Sequence, residues 1–357
     1  MRSRSFRPVI VVLALLLSLA LLPACGGGRD TADTKSTPAP AVVSDPSAPG
    51  PYPVGVTEIT FERSSSTTGE PRFLKTTVWY PAADSAKDAT PDETLQGVQD
   101  AALTTENLPL PIILFSHGSG GTPNQSTFYT AHLASYGFVV VAPPHPGNTL
   151  TDCNPWPCAD PQALIDAFVN RPPDITFALE SMLRLNDDPK SMFHNAIDGS
   201  RAGMSGHSFG GLVTLQLATG TPGPFLAALA MAPPLGPGLP LPRGSMDIPL
   251  LLMGGGKDTA CPLPYIQTYY DSLNGSEPRF LVDFPRGGHL AYTGVCLPNF
   301  GSCGADEIDQ EKAHRLINFY ATAFFKTYVA GETGYTAFLE PSANGGDPDV
   351  RVSAVLP

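Results

Sequence analysis

Residues 203–211 read GMSGHSFGG, and inside them Gly206-His207-Ser208-Phe209-Gly210 fits the pattern G-x-S-x-G. The spacing makes sense for a serine held on a sharp strand-to-helix turn. A Cβ two residues before or after the serine would collide with the neighbouring strand or helix. The pattern alone is short and recurs by chance, so its flanks carry the argument. Residues 201–205 read as a short buried strand, and 209–218 as a helix. Working outward, residues 111–116 (PIILFS) and 138–142 (FVVVA) are continuous apolar runs, as strands buried on both faces require. Residues 226–231, 249–253 and 279–284 read as further strands, and 56–62 with 76–80 as an early hairpin. Between them lie helical stretches at 125–135, closed by Gly137, and at 161–170, 173–185 and 308–328. The alternation predicts one α/β domain with a mainly parallel, eight-stranded sheet flanked by helices.

A serine hydroxyl is a weak nucleophile at neutral pH and needs an adjacent base and a group to orient that base. On sheets that carry a serine at such a strand-to-helix turn, the chain order is nucleophile, acid, histidine. Two histidines follow Ser208. His289 lies in Gly287-Gly288-His289-Leu290, just past the last expected strand, where a base belongs. His314 falls in the middle of the last helix and reads as a solvated helix residue. The acid is expected at Asp258, where Leu250-Leu251-Leu252-Met253 runs into Gly254-Gly255-Gly256-Lys257-Asp258; Asp283 lies within a strand and Asp271 in a helix. Oxyanion donors are expected from the backbone N–H of Phe209 and from that of Ser119, in the His117-Gly118-Ser119-Gly120-Gly121 turn, with His117 structural. The long loop 143–160 leaves a strand end, where α/β sheets bind ligands. It offers Trp156 and His145 as pocket candidates.

The net charge is −12, with no Lys/Arg cluster beyond the N-terminus, which argues against nucleic acid as a partner. His132, His145 and His194 have no metal-ligand spacing, no phosphate-cradling loop is present, and no cofactor is implied. Hydrophobic residues at 42% are enough for a sizeable core; 35 Gly and 39 Pro imply many turns. Arg2, Arg4 and Arg7 precede an apolar run over 9–22, too short for a comfortable membrane span, which ends in Leu22-Pro23-Ala24-Cys25. Residues 1–24 therefore read as a signal peptide, with Cys25 as a lipidation residue of the bacterial lipoprotein type and an ordinary secretory signal as the alternative. Either way the chain is exported, to the cell envelope or beyond. Residues 25–52 read as a disordered tether, 53–330 as the catalytic domain and 331–357 as a C-terminal tail. With Cys25 lipidated, Cys153, Cys158, Cys261, Cys296 and Cys303 remain in an oxidising compartment. Cys153–Cys158 could close the 143–160 loop. Cys261–Cys296 could pin the acid loop to the base loop, with Cys296–Cys303 as the competing pair.

Residues 111–121 (PIILFSHGSGG), 138–148 (FVVVAPPHPGN), 171–183 (RPPDITFALESML) and 203–211 (GMSGHSFGG) resemble the α/β-hydrolases grouped around platelet-activating-factor acetylhydrolase and dienelactone-hydrolase-like proteins. The resemblance runs from about residue 53 to 328. It implies ester hydrolysis through Ser208, Asp258 and His289, with Phe209 and Ser119 as oxyanion donors. True dienelactone hydrolases carry cysteine where this chain has Ser208. The function expected is a secreted or lipid-anchored serine esterase acting on lipid or short-chain acyl esters. A polyester or cutinase-like hydrolase, a peptidase on the same fold and a non-catalytic binding module on a hydrolase scaffold stand as alternatives.

Overall fold

The eight expected strands all form, and two more join them at the edges. The computed structural model describes residues 43–356, apart from 154–157, 159, 220–222, 240–245, 274–277, 298–300 and 344. The sheet runs β10-β9-β8-β7-β6-β4-β5-β2-β1-β3. Its centre is the parallel set β4 (Leu110–Ser116), β5 (Val139–Ala142), β6 (Ile197–His207), β7 (Phe225–Met231), β8 (Leu250–Gly255) and β9 (Arg279–Phe284). The hairpin β1 (Val54–Ser64) and β2 (Pro71–Pro81) adds antiparallel to β5, and β3 (Val98–Gln99) lies along β1. The second added strand, β10 (Arg351–Val355), pairs antiparallel with β9.

Period-two alternation sorts the central strands onto two faces. Ile113, Phe115, Val140, Leu229, Leu251 and Val282 pack under α1 (Thr127–Ser135) and α5 (Gln310–Tyr328). Ile112, Leu114, Val139, Val141 and Met204 pack under α2 (Pro161–Asp187) and α3 (Phe209–Ala218), and α4 (Leu263–Ser272) covers the β8 side of that face. The chain passes from β4 to β5 on one side and returns as β6 on the other. Such a reversal of strand order opens a crevice at the carboxyl ends of the two strands.

Three expectations change. The two helices expected at 161–170 and 173–185 are one helix, α2, with Pro172 and Pro173 inside it. Prolines remove two N–H donors and normally break a helix. Here Ala167 before them and Ile175, Ala178, Leu179 and Met182 after them are all buried in the same core, so packing holds the two halves in line. Part of the segment expected as a tether is folded: Tyr52 N–H donates to the Ser135 carbonyl, and the Tyr136 hydroxyl to those of Asp45 and Ala48. Part of the expected C-terminal tail is folded as well. Tyr335 and Leu339 are buried in a 3-10 turn at Thr333–Leu339, and Val350 is buried just before β10. No helix among the described residues is long and apolar enough to cross a membrane.

Candidate active site

Ser208 sits at the turn between β6 and α3 with φ +54° and ψ −121°, a conformation that costs a non-glycine residue strain and clusters at functional sites. Its surroundings leave no room for side chains. A Cβ on Gly206 would strike the carbonyl of Gly210, and one on Gly210 the carbonyl of Ser116 in β4. The turn lifts Oγ clear of the sheet at the crevice beside β4.

His289 opens a 3-10 turn (His289–Tyr292) after β9, and Asp258 lies just past β8. The Ser208 hydroxyl is 3.0 Å from His289 Nε2, and His289 Nδ1 is 2.8 Å from Asp258 Oδ2. An acceptor carboxylate at Nδ1 selects the tautomer with its proton there. That leaves Nε2 free to accept the serine proton. The buried Asp258 carboxylate is itself fixed, since Oδ1 accepts from the N–H groups of Ala260 (2.9 Å) and Cys261 (2.7 Å).

The loop after β4 approaches from the other side. A Cβ on Gly118 would lie 3.4 Å from Ser208 Cβ. Three amides of this loop are used internally: Gly118 N–H donates to Gln125 Oε1, Gly120 N–H to the Asn148 carbonyl and Gly121 N–H to that of Gly118. Phe209 is the first residue of α3, so its N–H has no helical carbonyl behind it.

The other candidates fall out differently. His145, expected at the pocket, is fully buried beneath the loop. Its Nδ1–H donates to Asp174 Oδ2 (3.0 Å) and its Nε2 accepts from the Ser116 hydroxyl (2.9 Å), so both ring nitrogens are committed to structure. His117 is structural as expected: Nδ1–H donates to the Gly118 carbonyl and Nε2 accepts from His145 N–H. His314 is not a solvated helix residue. It stacks on Phe128 with ring centroids 3.5 Å apart and donates to the Thr293 carbonyl. Trp156 and Cys25 lie outside the described residues. Disulfides join Cys153 to Cys158 and Cys296 to Cys303, while Cys261 is a buried free thiol. The expected Cys261–Cys296 pin between acid and base loops therefore does not form, and the local pair takes its place. Burial, then the Asp258 charge, pushes the Cys261 thiol up, with a Ser208 hydrogen bond acting the other way. Asp258, Cys261 and His289 bring one potential metal-ligand atom each within 4.8 Å of one another, a grouping invisible to sequence spacing because it spans two loops.

Sequence reasoning also missed His207, the variable residue before the nucleophile. Its Nδ1 accepts from Gln125 Nε2 (3.1 Å) and its Nε2–H donates to the His289 carbonyl (3.0 Å). Gln125 in turn accepts from Gly118 N–H, so one chain of hydrogen bonds ties the β4 loop to the backbone of His289. Burial, and next the neighbouring His289, hold the His207 ring well below the usual histidine range, neutral as this pattern requires.

Residues 120–353 match the family described as PETase: PET hydrolase-like. The chain is 28% identical over 244 residues to cutinase est1 of Thermobifida alba, covering 68% of each chain. It is 26% identical over 341 residues to cutinase cut1 of Thermobifida fusca, covering 93% of this chain and 86% of that one. A solved structure, the ferulic acid esterase from Streptomyces cinnamoneus, shares the fold with a TM-score of 0.61 at 22% identity, over 80% of this chain and 92% of that one.

Proposed function

The chain belongs to the PET hydrolase-like family of the α/β-hydrolase superfamily, and from that premise we propose that Ser208, His289 and Asp258 are its catalytic triad and that its substrates are uncharged, apolar carboxylic esters. The protein is a serine hydrolase of carboxylic esters. Ser208 Oγ attacks the ester carbonyl while His289 Nε2 takes its proton, and Asp258 stabilises the imidazolium that results. The tetrahedral oxyanion is held by the N–H groups of Phe209 and Ser119. His289 then protonates the departing alcohol, and a water deprotonated by the same ring hydrolyses the acyl-enzyme. The observation that carries this reading is the unbroken chain from Ser208 Oγ through His289 to Asp258, at 3.0 and 2.8 Å.

The apolar, neutral substrate class is supported by exposed apolar side chains on the segments that follow the acid and the base in sequence. Tyr265 follows Asp258, Val295 and Leu297 follow His289, and all three are exposed. The net charge of −12 disfavours anionic substrates. Within this class, polyester and cutin-type esters are favoured by the family match and by the cutinases among the relatives. The acetylated-phospholipid reading, carried by the sequence resemblance, is the second. Export is supported by the apolar run before Cys25 and by the two disulfides, with residues 1–24 removed and Cys25 lipidated.

A fluorophosphonate probe is expected to label the native chain and not Ser208→Ala; labelling of both, or of neither in well-folded protein, overturns the triad. Hydrolysis of nitrophenyl esters from acetate to palmitate, of an aliphatic polyester film and of an acetylated phospholipid then ranks the substrate readings. Radioactive palmitate incorporation that Cys25→Ala does not abolish would overturn lipidation at that residue.

A further inference from the structure

We propose that Arg171, on α2, is the positioning residue of the oxyanion hole; the inference rests on the reading that the Ser119 and Phe209 amides are the donors. Its guanidinium is fully buried, one residue before the two prolines of α2. Nη1 donates to the His117 carbonyl (2.5 Å), and Nη2 to the carbonyl of Gly118 (3.0 Å) and to Asn148 Oδ1 (2.5 Å). Its central carbon lies 4.6 Å over the ring of Phe209. One cation therefore touches both segments that supply the hole.

The contact with Gly118 has a direct geometric consequence. The Gly118 carbonyl and the Ser119 N–H belong to one planar trans peptide, so they point in opposite directions. Arg171 holds that oxygen together with the His117 Nδ1–H (2.7 Å) and the Gly121 N–H (3.1 Å), which aims the Ser119 N–H away from α2. A Cβ on Gly118, the residue before Ser119, would lie 3.4 Å from Ser208 Cβ, so the loop runs beside the serine. A positive charge on the carbonyl also polarises the peptide and strengthens its N–H as a donor. The segment needs such a clamp because three of the four residues Gly118-Ser119-Gly120-Gly121 are glycines, with Gly120 at φ +67°. Arg171 is also a costly side chain to bury for packing alone. Its Nε has no partner among the described residues, and burial pulls its pKa down to about 9, still charged at neutral pH.

The arginines beside it provide a control. Arg63 and Arg72 pair with Asp174 in a buried polar network, at 2.6 and 2.8 Å, and among the described residues His145 links Asp174 to Ser116 and His117 of the β4 end. Arg63→Met therefore disturbs the network without touching the hole.

The test measures kcat and KM for p-nitrophenyl butyrate, Ki for an alkyl trifluoromethyl ketone (whose serine adduct carries the oxyanion) and Tm. Arg171→Met is expected to lower kcat and raise Ki by about 100-fold each with KM within about twofold, the pattern of a lost transition-state interaction. Arg171→Lys keeps the charge but not the fork, and is expected to recover about tenfold of that loss; if the Met variant does not fold, the Lys variant against wild type carries the comparison. Arg63→Met is expected to lower Tm and leave the ratio of Ki to KM unchanged. An Arg171 variant that folds and keeps the wild-type ratio overturns the inference. Ser119→Pro, which deletes the N–H itself, separates the two failures. If Ki is unmoved in folded Ser119→Pro, the oxyanion reading falls; if Ki rises there but not in the Arg171 variants, only the role of Arg171 falls.

Discussion

A single residue, Ser208, shows why a candidate site was legible in the sequence. Its positive φ is tolerated because glycines two residues on either side remove the Cβ atoms that would collide with Gly210 and Ser116. Backbone sterics of that kind write themselves into a five-residue pattern. Gly210→Ala is accordingly expected to force the Ser116 carbonyl, and with it the β4 loop, out of place. Overpacking of this sort costs about 1–3 kcal/mol, and urea unfolding alongside kcat should show both stability and activity falling. Unchanged values in both would mean the turn has slack. In the proposed triad Asp258 works through orientation. Asn in its place keeps the shape but presents the wrong partner to His289 Nδ1, so Asp258→Asn is expected to lower kcat by about 10⁴-fold with KM little changed. A loss confined to KM would place the carboxylate in binding instead. The contacts of His207, Gln125 and Arg171 were not legible, because each bonds a backbone carbonyl or amide of a distant segment, and no side-chain pattern records such a partner.

Elements divide along the same line. The central strands β4, β5, β7 and β8 were legible because burial on both faces demands nearly unbroken apolar runs, which no surface element mimics. The continuity of α2 through Pro172 and Pro173 was not, because local proline chemistry argued for a break and only the shared core on both sides overrides it. The loop after His289 was half legible: its cysteines announced a bridge, but only the fold decides between partners. That bridge, Cys296–Cys303, closes a segment that packs back on the base. Leu290 N–H donates to the Gly301 carbonyl, and a Cβ on Gly288 would strike that same carbonyl. Loss of the cross-link is expected to cost about 2–3 kcal/mol from the small loop it closes. It should also loosen His289 relative to Ser208. Replacing both cysteines by serine should therefore lower Tm and reduce kcat more than it changes KM. A drop in Tm with kcat intact at a temperature where the variant is fully folded would show that the loop braces the fold and not the base.

The whole molecule carries a pH dependence separate from that of catalysis. Burial, as the leading cause in each, holds His117, His145 and His207 well below the usual histidine range, and their hydrogen bonds fit neutral rings. The unfolded chain protonates these residues near pH 6.5, whereas the folded one resists. Below that pH the unfolded state binds more protons, and stability is lost as pH falls. Each ring contributes a slope of about 1.4 kcal/mol per pH unit while it stays neutral in the folded state. His132 and His314 are shifted the same way. The carboxylates act lower and in both directions. Asp349, held at about 2 by Arg286 and Lys312 against burial, loses stability on acidification, whereas the buried Asp174 and the half-buried Asp283, both raised, are relieved by it. Between pH 6.5 and the carboxylate range the histidines therefore dominate. Urea unfolding at half-unit steps from pH 8 to 5 is expected to show little histidine contribution to the slope above pH 7 and a steep loss below 6.5 equivalent to about three protons from the fully buried rings, with His132 and His314 adding to it. His145→Gln should reduce that proton count by one. A free energy of unfolding that stays level down to pH 5 would mean that the network around Asp174 accepts a proton without opening, and that His145 and its neighbours are charged in the folded protein.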